Sequence, residues 1–288
     1  MTVPTVQSMT GVQGAIQVAS QRTGIDFNYL LGQAQVESGL RTNARASTSS
    51  ATGLYQFIDQ SWLGVVKSHG AEHGLGWAAG AIQRTSSGRY VVADAATRAA
   101  ILGLRNDPAA ASLMAAEHAS DNKDALQASL GREVTGTDLY MAHFLGLGGA
   151  KKFLGAMAAD PDRSAASLFP GAARANRNVF YNSDGVPRSL GDVYRRFSTK
   201  LDRGAAAVGA TGLASAAMSA RGAGAGDPDL EVVLGSGAEN GDRAWLASTL
   251  DRFQSAGRTR TPDAGLLRPN PQNARLAYLM LAQLGGKL

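Results

Sequence analysis

Few residues in this chain join a reactive side chain to a position that would change its chemistry. Glu37 is one of them. Phe27, Leu30, Leu31 and Ala34 recur at three- and four-residue intervals, the spacing of one buried helix face. Glu37 continues that series, seven residues after Leu30 and three after Ala34, so a carboxyl group falls on the apolar stripe in the last turn. Desolvation disfavours the charged form, and the negative end of the helix dipole acts the same way. A glutamate so placed is expected to have its pKa raised from about 4.3 toward about 6, which suits a general acid near neutral pH. The other reading is a solvated glutamate at the edge of an ordinary helix.

Other reactive groups are sparse. There are no cysteines, so there is neither a disulfide framework nor a thiolate metal site. The four histidines are His69, His73, His118 and His143. His69 and His73 have the i, i+4 spacing of a helix face, but Gly70 and Gly74 interrupt the segment. The pair reads as surface loop rather than as metal ligands, and neither a metal nor another cofactor is expected. Glu117 lies mid-helix near Leu113 and Asp121. Facing inward it would be a second carboxylate; its neighbours His118, Asp121 and Lys123 favour a helix-surface position.

The elements that position these residues read as helices throughout. Residues 8–23 form a first pattern ending at Gly24. Asp26 is placed to cap the helix of Glu37, and Gly39 to end it. A small-residue turn over 45–52 follows, then Gly53-Leu54-Tyr55-Gln56, and Asp59 or Ser61 can cap a helix carrying Trp62, Val65 and Val66. Residues 70–88 read as a long, partly irregular connection. Asp94 can cap a helix through Leu104, and Asp107-Pro108 is a strong start for one ending at Gly131. Thr137 can open the next, stopped by the glycines of 146–149, with short helices over 150–159 and 164–169. Ser189 and Asp192 form a weak capping box for a helix reaching about Arg203. No run of alternating strand character stands out, so the fold is expected to be all-α.

Past Arg203 the composition changes. Residues 204–228 are mostly Ala, Gly, Ser and Thr, a flexible linker by composition. Residues 229–288 then carry two amphipathic helix patterns, over 245–253 and 271–284. The 288 residues carry a formal charge of +5, with 20 basic and 16 acidic side chains in residues 1–203. That excess suits weak attraction to an anionic polymer such as cell wall, and is too small and dispersed for nucleic acid. No apolar run approaches membrane-spanning length. The N-terminal stretch lacks a charged region followed by a compact apolar core, so it does not read as a signal peptide.

Three motifs occur in order: Glu37-Ser38-Gly39, then Gly53-Leu54-Tyr55-Gln56, then Ala142-His143-Phe144-Leu145-Gly146. Together they resemble the soluble lytic transglycosylase (SLT) family, grouped with goose-type lysozyme in glycoside hydrolase family twenty-three. That family typically reads Glu-Ser-Gly, Gly-Leu-Met-Gln and Ala-Tyr-Asn-Ala-Gly. The resemblance spans roughly residues 10–200. It implies a lysozyme-like catalytic domain over 1–203 that acts on the glycan strands of peptidoglycan, in the periplasm or cell wall, by an export route that the sequence leaves open. It further implies that Glu37 protonates the glycosidic oxygen between N-acetylmuramic acid and N-acetylglucosamine. As a base, Glu37 would then help the muramoyl 6-hydroxyl close a 1,6-anhydro ring, so that one acid suffices.

Residue by residue, the resemblance casts Ser38 as orienting the acid or a substrate acetamido group. Gly53 and Leu54 would bring backbone close to the sugar, and Gln56 would contact substrate through its amide. Tyr55, where the family has Met, would add a stacking face to the cleft. His143 stands in place of a Tyr and could donate a hydrogen bond to Glu37, while Phe144 replaces an Asn and cannot. Tyr181 falls where the family often has a cleft tyrosine. Two rivals stand beside this reading: a goose-type muramidase that adds water, and a non-catalytic wall-binding or assembly module. The extension past the linker suits docking on a wall-spanning machine such as a flagellum, secretion system or phage tail, or packing on the enzyme itself.

Overall fold

The structure is a computed structural model that describes residues 11–47 and 49–216. It is predominantly helical, as expected. Among the described residues there are eleven α-helices: α1 (Gly11–Thr23), α2 (Phe27–Ser38), α3 (Asp59–His69), α4 (Gly76–Ala81), α5 (Ala95–Gly103), α6 (Pro108–Leu130), α7 (Gly136–Ala159), α8 (Ala165–Leu168), α9 (Pro170–Ala175), α10 (Arg177–Phe180) and α11 (Leu190–Ala207). No described helix is long and apolar enough to cross a membrane.

Local chemistry sets most of the boundaries. The Asp26 carboxylate accepts from the Tyr29 N–H at 2.8 Å, and Gly39 closes α2 in the left-handed region at φ 62°. Asp94 caps α5, Asp107 caps α6 ahead of Pro108, and Gly131 ends α6 at φ 64°. Capping boxes open α7 (Thr135 with Asp138) and α11 (Ser189 with Asp192). The cap of α7 thus falls at Thr135, two residues before the expected Thr137, and α7 runs through the glycines to Ala159 with one non-helical residue, Gly146. Neither Asp59 nor Ser61 caps α3. Ile58 occupies that position without a side-chain bond, and Asp59 instead pairs with Arg98 and Arg105.

The connection over 70–88 is more ordered than composition suggested. A 3-10 turn (Gly70–His73) and α4 lead into a two-stranded antiparallel hairpin, β1 (Ile82–Arg84) with β2 (Tyr90–Val92). Each strand is three residues long, too short for an alternating pattern to register in the sequence.

In the main bundle α2 packs on α1, α6 and α11, while α7 lies against α6 and α11. Glycine lets α11 come close to α2. A Cβ on Gly32 would meet the Leu201 carbonyl oxygen at 2.9 Å, and one on Gly204 would meet Val36 at 2.8 Å. On the other side of α6, α3 buries Trp62 completely, and its indole N–H donates to the Ile101 carbonyl at 2.7 Å.

The expected linker does not begin at residue 204. Helix α11 continues to Ala207, and the chain after it folds back on the bundle. Ala214 is 1% exposed against Gly32, and Ser215 bonds to the Asp202 carboxylate through both its N–H and its hydroxyl. The carbonyls of Ser215 and Ala216 accept from the first N–H groups of α7, which have no partner within the helix. The amphipathic patterns over 245–253 and 271–284 lie outside the described residues. Ending the chain at residue 203 rather than 216 should therefore lower the melting temperature markedly, by several degrees for a loss of a few kcal/mol. Thermal unfolding of the two truncations by circular dichroism checks this; equal melting temperatures would contradict it.

Candidate active site

Glu37 sits in the last turn of α2 with its side chain 13% exposed. Two groups from α7 meet it. The Tyr140 hydroxyl donates to Glu37 Oε1 at 2.8 Å, and His143 Nε2 lies 3.4 Å from the same oxygen. Tyr140 and His143 are one turn apart, and their rings stack at 5.9 Å with planes 24° apart. From α11, Phe197 packs edge-on to Tyr140, and Lys200 Nζ lies 6.0 Å from the Tyr140 ring centre. Phe144 packs on Phe197 at 4.8 Å.

The protonation of Glu37 is not the one its helix position implied. Burial is the largest influence on it and raises its pKa, as expected. The charge and hydrogen bond of His143, the charge of Lys200 and the Tyr140 hydrogen bond together outweigh burial, so the carboxyl lies below its ordinary value. The helix face alone could not foretell this, because the opposing groups come from two other helices. Burial and the neighbouring carboxylate push the Tyr140 phenol far up, so it stays protonated as a donor to Glu37. Because the native carboxyl is depressed, it adds stability above the unfolded carboxyl's pKa, and this is lost as pH falls through the native value.

The second motif is packed into the protein beside the end of α2. Ser38 is fully buried, with its hydroxyl 2.8 Å from the Leu54 carbonyl and 3.0 Å from the Ala34 carbonyl. It therefore ties α2 to the Gly53–Gln56 loop and cannot reach a substrate. Gly53 does need to lack a side chain, but the close neighbour is protein. A Cβ there would lie 2.0 Å from the Arg105 carbonyl oxygen, and φ is 85°. Leu54 and Tyr55 are core residues at 0% and 1% exposure, so Tyr55 offers no stacking face. Gln56 has a left-handed backbone (φ 49°), and its side-chain NH2 donates to Gly53 and Ala44 carbonyls at 2.9 and 3.2 Å.

Two further expectations resolve. Tyr181 is half-buried under the Arg177 guanidinium, 4.7 Å above its ring, and is not among the groups that meet Glu37. Glu117 is not a plain surface residue, and it is not among the groups that meet Glu37. Its carboxylate is engaged by His73 at 2.6 Å and His69 at 3.5 Å. His73 is correspondingly 8% exposed rather than part of a surface loop.

Sequence reasoning missed Tyr140, Lys200, Arg105 and Asp138. Arg105 donates to the Ser50 and Phe57 carbonyls at 2.8 and 2.9 Å and pairs with Asp59, pinning both ends of the motif loop. Asp138 is fully buried. It receives both terminal nitrogens of Arg132, at 2.7 and 3.1 Å, and the Tyr194 hydroxyl at 3.0 Å, fixing the start of α7 two residues before Tyr140. Tyr140 had a readable signal, since it lies one helical turn before His143.

A small cavity between α2, α6 and α7 is lined by Gln33, His118, Asn122 and His143 among others. It is about the size of one water and far too small for a sugar. The Gln33 Oε1 beside it is buried without a partner, and burial drives His118 down to about 4, so that ring is neutral near neutral pH. No family model matches the chain.

A carbon-detected NMR titration of the Glu37 carboxyl should place its midpoint below that of an ordinary glutamate. His143→Gln, which removes the charge while keeping an amide donor, and Tyr140→Phe should each move it to higher pH. A midpoint above the ordinary value, or one indifferent to both substitutions, would contradict the arrangement.

Proposed function

We propose that this chain is a peptidoglycan lytic transglycosylase. It would cleave the β-1,4 bond between N-acetylmuramic acid and N-acetylglucosamine with formation of a 1,6-anhydro ring. The observation that carries the reading is the surrounding of Glu37: its neighbours are a phenol, an imidazole and an ammonium, none of them a carboxylate. The ordered motifs of the sequence point to the same chemistry.

Hydrolysis with two carboxylates needs the second within roughly 5–9.5 Å, as base or nucleophile. Glu117 is the residue that sequence offered for that role, and its carboxylate is taken up by His69 and His73. One carboxyl group completes the transglycosylase cycle by itself. As the bond from the muramoyl C1 to the leaving oxygen breaks, Glu37 delivers its proton to that oxygen. The resulting carboxylate accepts the proton of the muramoyl 6-hydroxyl as its oxygen bonds to C1, so Glu37 ends protonated and no water is consumed.

The neighbours suit both halves. Tyr140 donates to the carboxylate that forms after the first transfer, a charge-assisted bond of about 1.5–3 kcal/mol. His143 adds charge and a hydrogen bond on the same side of the carboxylate. A glycan strand covering the site would displace water and strengthen burial, the influence that favours protonated Glu37. Site of action would be the periplasm or cell wall, with peptidoglycan strands as the partner.

Glu37→Gln keeps the shape of the side chain and removes the proton cycle. It should lower the release of soluble fragments from purified peptidoglycan by roughly 100- to 10,000-fold, the usual worth of a general acid. Sedimentation with insoluble peptidoglycan should show the variant still bound. Undiminished release would remove Glu37 from the chemistry, and a wild type that binds but releases nothing would favour a binding module.

A further inference from the structure

The end of α3, the turn after it and one face of α6 assemble groups for which the proposed reaction has no use. His69 closes α3, Glu72 and His73 lie on the 3-10 turn, and Glu117 and Asp121 stand one turn apart on α6. One donor atom from each of His69, Glu72 and Glu117 lies within 4.8 Å of the other two. Glu117 is 15% exposed and Glu72 is open to solvent.

The hydrogen bonds around this cluster leave one contact unresolved. A carboxylate only accepts, so His73 carries its proton on Nε2, which donates to Glu117 Oε1 at 2.6 Å. His73 Nδ1 is buried without a partner, consistent with a ring whose one proton is on Nε2. His69 Nε2 is 2.9 Å from Asp121 Oδ2 and carries a proton by the same rule. In a neutral ring this leaves a lone pair on His69 Nδ1, facing Glu117 Oε2 at 3.5 Å. Two lone pairs at that range repel unless a positive charge, a proton or a metal cation, lies between them.

The geometry points to a metal. Donors about 2.1 Å from a tetrahedral zinc stand about 3.4 Å apart, close to the His69–Glu117 spacing. A ligating histidine commonly gives its other N–H to a carboxylate, and a ligating carboxylate is itself hydrogen-bonded. Asp121 and His73 supply those two outer contacts. We propose that His69 Nδ1, Glu117 Oε2 and the Glu72 carboxylate bind one divalent cation of the zinc type, with water completing the coordination. One imidazole and two carboxylates are a borderline donor set carrying two negative charges, matched to such an ion. The ion would join the end of α3 to α6, a structural role independent of the acid at Glu37.

Titration calorimetry of the full chain with zinc(II) at neutral pH, with melting curves in the presence and absence of the ion, tests this. The chain has four histidines and no cysteine, so single variants identify the ligands. Wild type should take up one equivalent and melt at higher temperature with zinc. His69→Ala should abolish both effects. Glu72→Gln, at a solvent-open position where folding is not at risk, should weaken binding about tenfold or more. His143→Gln should bind as wild type does. Absence of uptake by the wild type would show that a proton alone bridges His69 and Glu117. Uptake that persists in both His69→Ala and Glu72→Gln would place the ion elsewhere. Either result overturns the assignment.

Discussion

A carboxylate with a narrow opening to water must find its stabilisation in protein, and this fold supplies it from α7, through the charge and hydrogen bond of His143 and through the Tyr140–Glu37 hydrogen bond. The bond joins the last turn of α2 to the first turns of α7, two helices far apart in sequence. Tyr140 is 3% exposed, so its hydroxyl would be costly to leave unpaired, and the same holds for the Glu37 charge. Each group thus requires the other. His143 and Lys200 add positive charge around the pair, which is why the carboxyl binds its proton less tightly than burial alone would dictate.

Much of the remaining structure serves to hold these two helix ends in register. Asp138 gathers Arg132, Tyr194 and Thr135 at the start of α7, and the chain at residues 215–216 takes the first free N–H groups of that helix. The small residues Gly32 and Gly204 allow α11 to lie against α2, which brings Lys200 and Phe197 to the site. On the other side, Ser38 fastens α2 to the motif loop, and Arg105 fastens that loop to the rest of the domain. The two residues after the acid in the first motif are thereby explained without any ligand: Ser38 makes an internal tie, and Gly39 ends the helix in the left-handed region.

What could be read beforehand was what depends on neighbours in sequence. Asp26 and Gly39 bracket α2, and Asp107-Pro108 and Gly131 bracket α6, because capping is decided within a turn. The all-α character and the placing of Glu37 on a mostly buried helix followed from periodicity. Roles set by tertiary approach did not follow. Gly53 was expected to clear a sugar and instead clears the Arg105 backbone; Tyr55 was expected at a cleft wall and is core. His69 and His73 read as surface loop, and Glu117 as a helix-surface residue or a second carboxylate, because the turn that joins them is broken by glycines and the match between α3 and α6 is not local. The sign of the Glu37 shift depends on the same kind of approach, since His143 and Lys200 come from other helices.

The proposed reaction calls for one carboxyl group, which moves its proton out and back. It is tested most directly by digesting purified peptidoglycan in heavy-oxygen water and weighing the released fragments. The expected products end in 1,6-anhydro-N-acetylmuramic acid and carry no solvent oxygen at the cleaved bond. Reducing ends bearing one heavy oxygen per cleavage would contradict it, since water would then have taken the place of the muramoyl hydroxyl.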